Sequence, residues 1–201
     1  MDILGLHLSP RRNGNSAAML EEFLRGARHG GAAAESYFVA DHDIRACTGC
    51  AACEETGQCV ITDDDMAELY PRLATAPRIV VATSLFFYDV PAGGKALIDR
   101  AQTLWARRYR LGQTDMLRPD GRGFLLALGA TKGRDLFVPV SLCVKYFFDA
   151  LGLPRQFDHL FFRQIEGLGD LAGRDDYMSQ IYEAGRAFGR KGRGGPGQNS
   201  E

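Results

Sequence analysis

The chain has 201 residues, 45% of them apolar and 24% charged, with a formal net charge of -1. That length and composition allow one sizeable core in an ordinary globular fold, and the near-zero charge gives no electrostatic case for nucleic acid or an anionic membrane surface as a partner. No apolar run is long enough to span a bilayer, and the opening MDILGLHLSPRRNGNS has no basic region ahead of a long apolar stretch, so neither a membrane span nor a secretory leader is expected and the chain reads as cytoplasmic.

Residues 2–8 are a short apolar run that predicts a strand, SPRRNGNS is turn chemistry, and Met19, Leu20, Phe23, Leu24 and Ala27 recur at helical spacing over 17–28. A strand is predicted over 35–39. A helix follows over 63–74, with Asp63 and Asp64 suited to its positive N-terminal end, and then RIVVAT at 78–83 reads as a strand buried on both faces. Pro91 opens a predicted helix that runs through Lys95, Leu97 and Ile98 to Trp105. The last elements are strands over 123–129 (GFLLALG) and 155–162 and helices over 136–151 and 177–188. Strands alternating with helices, two of them near-continuous apolar runs, predict a doubly wound α/β fold: a five-stranded parallel sheet with helices on both faces. Residues 1–189 are expected to form a single domain with a cysteine-rich insertion at 45–62, followed by a polar, Gly-rich tail over 190–201 expected to be disordered.

Such sheets bind ligands beyond the carboxyl ends of their strands, near the topological switch point. Three predicted loops leave from there, at 9–16, 84–91 and 129–134. The first joins a strand to a helix whose unpaired N–H groups and dipole favour an anion. Ser9, Asn13, Asn15 and Ser16 add side-chain donors, Arg11 or Arg12 a charge, and Gly14 conformational freedom. An ordinary turn with Asn15 or Ser16 as N-cap is the competing reading. The loop is neither GxxxxGK[ST] nor GxGxxG, which disfavours a P-loop ATPase and a Rossmann dehydrogenase.

Four of the five cysteines, Cys47, Cys50, Cys53 and Cys59, stand at C-x2-C-x2-C-x5-C spacing. In a reducing compartment such clustering points to metal or redox chemistry rather than a disulfide scaffold. The compact C-x2-C-x2-C run suits one [4Fe-4S] cube with a fourth thiolate nearby; zinc, which prefers two separated knuckles, is the second reading. Gly49, Gly57, Thr48 and Thr56 could supply hydrogen bonds to the sulfurs, while Glu54, Glu55 and Asp63 to Asp65 would lower the potential of a cluster. Cys143, alone in a predicted helix, reads as a buried small hydrophobe.

The segments SPRRNGNSAAML, ACTGCAACEETGQCVITDDDM and VATSLFFYDVPAGGKALIDR resemble the flavodoxin-like NAD(P)H-dependent FMN reductases, and within them the iron-sulfur flavoproteins. The resemblance implies strand order 2-1-3-4-5 and a phosphate site for FMN at Ser9, Arg11, Asn13, Asn15 and Ser16. It implies an isoalloxazine wall at Ser84, Leu85, Phe86 and Phe87, where the family usually reads Pro-Val-Tyr-Phe, and backbone approach to the ring at Gly129, Ala130, Thr131 and Gly133. It also implies a [4Fe-4S] cluster on the four cysteines; the place of that segment between the second strand and its helix, on a domain whose strand-end loops suit FMN, reads as a wire to the flavin. Lys132 could lie near the pyrimidine edge, although a solvated loop lysine explains it too. Lys95, Asp99 and Arg100 are expected to serve helix capping, packing or subunit contacts, and Trp105 with 107–110 an interface or entrance. The implied activity is oxidoreduction, with NAD(P)H or a reduced carrier as donor, a small-molecule or protein redox partner, and a homodimer or homotetramer. A flavodoxin-type electron carrier, a zinc-binding form and a cluster-free flavin reductase are the alternatives. No catalytic acid or base is assigned.

Overall fold

The computed structural model describes residues 1–190; the tail expected from 190 onward otherwise lies outside the described residues. Strands β1 (Ile3–His7), β3 (Arg78–Ser84) and β4 (Arg122–Gly129) are buried through their interiors, whereas β2 (Ala34–Phe38) and β5 (Asp158–Arg163) are partly exposed. Apolar runs that can be covered on both faces take the middle of the sheet, and the more polar strands take its edges. All five strands pair in parallel in the order β2-β1-β3-β4-β5, the doubly wound, flavodoxin-like order expected.

In chain order the helices are α1 (Asn15–His29), α2 (Ala52–Thr56), α3 (Met66–Thr75), α4 (Ala92–Arg100), α5 (Gln102–Tyr109), α6 (Val138–Ala150) and α7 (Asp175–Gly189). Side-chain alternation along the strands divides the core into two layers. Ile3, Val80, Ala82, Phe124 and Leu126 meet Met19 and Phe23 of α1 and Ile181 and Phe188 of α7. Leu4, Leu6, Ile79, Val81 and Leu125 meet Met66 and Leu69 of α3, Leu97 of α4, Leu104 of α5 and Val144 of α6.

Three local differences from the expected elements bear on function. The single helix expected from Pro91 to Trp105 is two, broken at Ala101, whose N–H is shared between the carbonyls of Leu97 (3.3 Å) and Ile98 (3.0 Å). This tight turn brings Arg100 and Thr103, both buried, onto the cysteine segment. The helix expected from Asp63 starts at Met66; Asp64 accepts the Met66 N–H at 3.2 Å, a cap-like bond, but its carboxylate is also engaged by Arg100. The short helix α2 inside the cysteine segment has too few residues for periodicity to reveal.

Helices α1 and α7 touch backbone to backbone. A Cβ built on Gly185 would stand 2.0 Å from the Phe23 carbonyl oxygen, and one on Gly26 would stand 2.1 Å from that of Tyr182. Because backbone cannot yield as a side-chain tip does, Gly185→Ala is expected to cost roughly 3 kcal/mol, the upper part of the usual overpacking range. Urea unfolding should show a lower midpoint at unchanged m-value.

Candidate functional site

The strand register puts His7 level with Ala82, Ala82 with Leu126, and Leu126 with Leu160, so the loops after β1, β3, β4 and β5 leave the sheet at one edge. They enclose a cavity of about 170 Å³ lined by Ser9, Arg11, Asn15, Ser16, Ser84, Leu85, Phe86, Gly129 and Ala130, nine of the thirteen positions singled out for the flavin. Asn13, Phe87, Thr131 and Gly133 are not among the lining residues. The loop after β5 supplies Ile165, Glu166 and Leu168, which sequence reasoning missed. Its only signal was the turn sequence GLGD at 167–170, a few residues after a predicted strand.

Helix α1 begins after Gly14 with no side-chain cap and no acidic residue in its first turn. Neither Asn15 nor Ser16 is the N-cap, and no carboxylate in that turn opposes the positive end of the helix dipole. The side chains of the first loop mainly fasten it. Ser9 Oγ accepts the Ser84 N–H at 2.7 Å and bonds Ser84 Oγ at 2.8 Å, tying the first loop to the second. Asn15 Nδ2 donates to the Gly167 carbonyl at 2.8 Å and its Oδ1 accepts the Leu171 N–H at 3.2 Å, so this amide secures the β5–α7 loop. Arg12 pairs with Asp41 and lies over the Phe38 ring, leaving Arg11 as the arginine of the cavity lining. Ser16 Oγ lies 2.9 Å from Nε2 of the buried His7.

The second loop turns sharply through Phe87 (φ 51°) and Tyr88 (φ 70°), closed by hydrogen bonds between Phe86 and Asp89 of 2.8 and 3.1 Å. Two bulky residues in left-handed backbone are strained. The turn throws Phe87 fully into solvent, which is why it does not join the wall formed by Leu85 and Phe86.

A second cavity, about 360 Å³, is lined by Cys47, Cys50, Cys53 and Cys59 together. Arg100 fastens both ends of the segment that carries them. Its Nη1 donates to the Arg45 carbonyl and its Nη2 to the Ile61 carbonyl, each at 3.0 Å, and both nitrogens meet the Asp64 carboxylate. The paired side chains are wholly inaccessible to solvent. Burial disfavours both charges, yet the mutual bond outweighs it: Asp64 is held below the ordinary carboxylate range and Arg100 above the ordinary guanidinium value. Farther along, Arg107 donates to the Gly57 carbonyl at 2.7 Å and Arg110 pairs with Glu54 at 2.9 Å. The expectation of packing for Arg100 holds, but its partner is the cysteine segment.

Gly49, Ala51 and Gly57 all have left-handed backbone, which winds the segment tightly around the cavity. The Cys50 thiol is pulled below its ordinary pKa by the Ala52 N–H and then by the Thr48 hydroxyl, which favours the thiolate a metal needs; burial pushes Cys53 up. Among the described residues no three Cys, His, Asp or Glu side chains converge to hold a single ion. Tetrahedral zinc draws thiolates to roughly 2.3 Å from one centre, whereas a cube distributes its ligands over four separate corners. Three of the acidic residues expected to lower a cluster potential are neutralised, since Asp63 pairs with Arg45, Asp64 with Arg100 and Glu54 with Arg110. The two cavities share no lining residue. Cys143 is partly buried, its thiol pushed up to about 12 mainly by burial, in keeping with an inert packing role.

An uncapped helix start at the switch point of a 2-1-3-4-5 parallel sheet, with an apolar rim beside it, defines a protein of flavodoxin-like fold with a cavity at the strand ends. Solved structures share this fold. The NAD(P)H:quinone oxidoreductase from Methanothermobacter marburgensis superposes with a TM-score of 0.68 at 16% identity, covering 96% of this chain and 98% of that one. The FMN-dependent NADH-azoreductase from Bacillus anthracis, in complex with FMN, gives 0.67 at 13%, covering 94% and 99%. Within the class, the chain belongs to the NADPH-dependent FMN reductase family, whose sequence profile matches residues 1–115. An iron-sulfur flavoprotein of Methanosarcina thermophila is 33% identical over 111 residues, 55% of this chain and 58% of that protein. One from Archaeoglobus fulgidus is 36% identical over 107 residues, 53% of this chain and 54% of that protein. The chain thus spans about half the length of the curated relatives it matches.

Removing one partner of the buried pair leaves the other charge and two carbonyls unsatisfied, so Arg100→Ala is expected to cost about 3–5 kcal/mol and to open residues 45–61 to limited proteolysis. Asp64 has a lowered folded-state pKa. Its contribution is therefore fully present above the unfolded value of about 3.9 and is lost as pH falls through the lower, folded one. Acid unfolding of the wild type should accordingly be steeper than that of Asp64→Asn in this range.

Proposed function

We propose that this chain is an FMN-dependent oxidoreductase that takes electrons from NAD(P)H or a reduced carrier and delivers them to a small-molecule or protein acceptor. We propose further that its cysteine segment holds a [4Fe-4S] cluster. The supporting observation is the meeting of nine expected residues around the uncapped start of α1. Bound FMN supplies the link between two-electron and one-electron chemistry.

Ser16, Arg11 and the first-turn N–H groups of α1 bind the phosphate, while Ser9 and Asn15 hold the surrounding loops in place. Leu85 and Phe86 provide the apolar wall, and Gly129 and Ala130 the backbone edge that meets the polar rim of a flavin. The enclosed 170 Å³ is smaller than the roughly 300–1,000 Å³ of complete cofactor pockets. It suits the phosphate and the adjoining chain; the ring would be held where Leu85, Phe86, Gly129 and Ala130 meet the open rim, with Asn13, Phe87, Thr131 and Gly133 outside the enclosed lining. A second copy of the chain covering that rim would account for the exposed Phe86, Phe87 and Tyr88. No catalytic side chain is assigned, because hydride transfer needs orientation and exclusion of water rather than an acid or base.

Four thiols around one cavity, one of them favoured as thiolate by a backbone N–H, suit the donor set of an iron-sulfur cube. Residues 1–189 act as one unit in this reading, with 45–62 as the cluster-bearing insertion.

Protein purified without oxygen is expected to contain about one FMN and four iron and four sulfide per chain, and to oxidise NAD(P)H with a quinone or free flavin as acceptor. Cys50→Ser should lose iron and keep FMN. Zinc in place of iron, or flavin with no metal, would remove the cluster from the proposal; bound FMN with no turnover on either nicotinamide would leave a flavodoxin-type carrier.

A further inference from the structure

His7 ends β1 on the face covered by α1, beneath the first loop, and is wholly buried. Its ring packs against Phe38 of β2 at 4.9 Å, its strand neighbour on the other side is Ala82, and its Nε2 lies 2.9 Å from Ser16 Oγ. Nδ1 has no hydrogen-bond partner. A buried polar side chain with one orphaned nitrogen is uncommon and calls for a reason.

Two neutral tautomers are available, and the orphaned atom separates them. With the proton on Nδ1, a donor would be buried unpaired, which is the rarer and costlier arrangement. With the proton on Nε2, the ring donates to Ser16 Oγ and only a lone pair goes unmatched. Burial holds the pKa at about 4, so the doubly protonated ring is excluded near neutral pH. A serine oxygen that accepts one hydrogen bond still has a hydroxyl hydrogen to give, and it rotates to suit. Ser16 lines the strand-end cavity in the first turn of α1.

We propose that His7 is a positioning residue for the anion site: its Nε2–H donates to Ser16 Oγ and thereby commits the Ser16 hydroxyl hydrogen to an oxygen of a bound phosphomonoester. The inference rests on the flavin reading above and deepens it, by making phosphate recognition depend on a residue that does not line the cavity. An ordinary core residue at position 7 would leave the hydroxyl free to turn back into the protein.

The test compares FMN with riboflavin, which lacks the phosphate, by flavin fluorescence quenching on titration of apoprotein. His7→Leu and Ser16→Ala should each weaken FMN by about tenfold, the effect of one charge-assisted hydrogen bond, with riboflavin binding unchanged. The double variant should be no weaker than either single one. His7→Gln, which keeps an N–H donor near the position of Nε2, should stay within about threefold of wild type. Thermal melting of the apoproteins identifies any variant that fails to fold, and His7→Phe, which keeps a ring but has no donor, then takes the place of His7→Leu in the comparison. Wild-type FMN affinity in His7→Leu, additive losses in the double variant, or an equal loss for riboflavin would each overturn the proposal. Failure of the wild-type protein to bind either flavin would overturn the flavin reading itself, and this inference with it.

Discussion

The cysteine segment depends on one buried ion pair. Between Arg45 and Ile61 the chain has a single five-residue helix and no strand, so nothing in its own backbone ladder fixes its course. Arg100 supplies what is missing. A guanidinium taken out of water must satisfy its N–H groups, and here the Arg45 and Ile61 carbonyls, the Asp64 carboxylate and the Tyr70 hydroxyl do so. Desolvation makes an incomplete arrangement costly, and the same cost ties both ends of the segment to the start of α3 and the end of α4. Arg107 and Arg110 extend the hold to α2, so one face of the α4–α5 pair becomes the wall of a thiol-lined cavity.

The other cavity is held by a different logic. A parallel sheet delivers all its strand ends to one edge, so loops far apart in sequence become neighbours without any special interaction. Short polar side chains then convert proximity into position: Ser9 joins the first loop to the second, Asn15 joins α1 to the β5–α7 loop, and His7 meets Ser16 from below. Several residues chosen for their capacity to touch an anion therefore spend it on the protein. Of the candidate donors, what is left facing the cavity is main chain, Arg11 and the Ser16 hydroxyl, with Glu166 also in the lining. Preorganised donors of this kind bind with little further loss of conformational freedom.

Much of this was legible in the chain because the signals are local. Apolar runs such as RIVVAT and GFLLALG, and the period of Met19, Leu20, Phe23 and Leu24, are properties of adjacent residues. So is the crowding of four thiols in thirteen positions. Asn13 and Phe87 show where that reasoning stops. Both are of a chemical type that suits the site, but the outward direction of Phe87 comes from a left-handed turn that its residue types disfavour. The break at Ala101 is likewise silent, since alanine is the best helix former and the turn there serves the placement of Arg100 and Thr103.

By itself the sequence determined the alternation of strands and helices, the layered sheet that follows from it, and the presence of a polar, glycine-containing loop ahead of the first helix and of a thiol cluster. These depend on spacing along the chain, which composition and periodicity record directly. Only the tertiary structure decided which side chains face a ligand and which hold the loops. It paired Arg100 with Asp64, turned Asn15 to the β5–α7 loop, placed His7 behind Ser16, and kept the thiol cavity apart from the strand-end cavity. The reason is that a buried polar group must find a partner wherever the fold brings one, and those partners stand from 9 to 156 residues away along the chain.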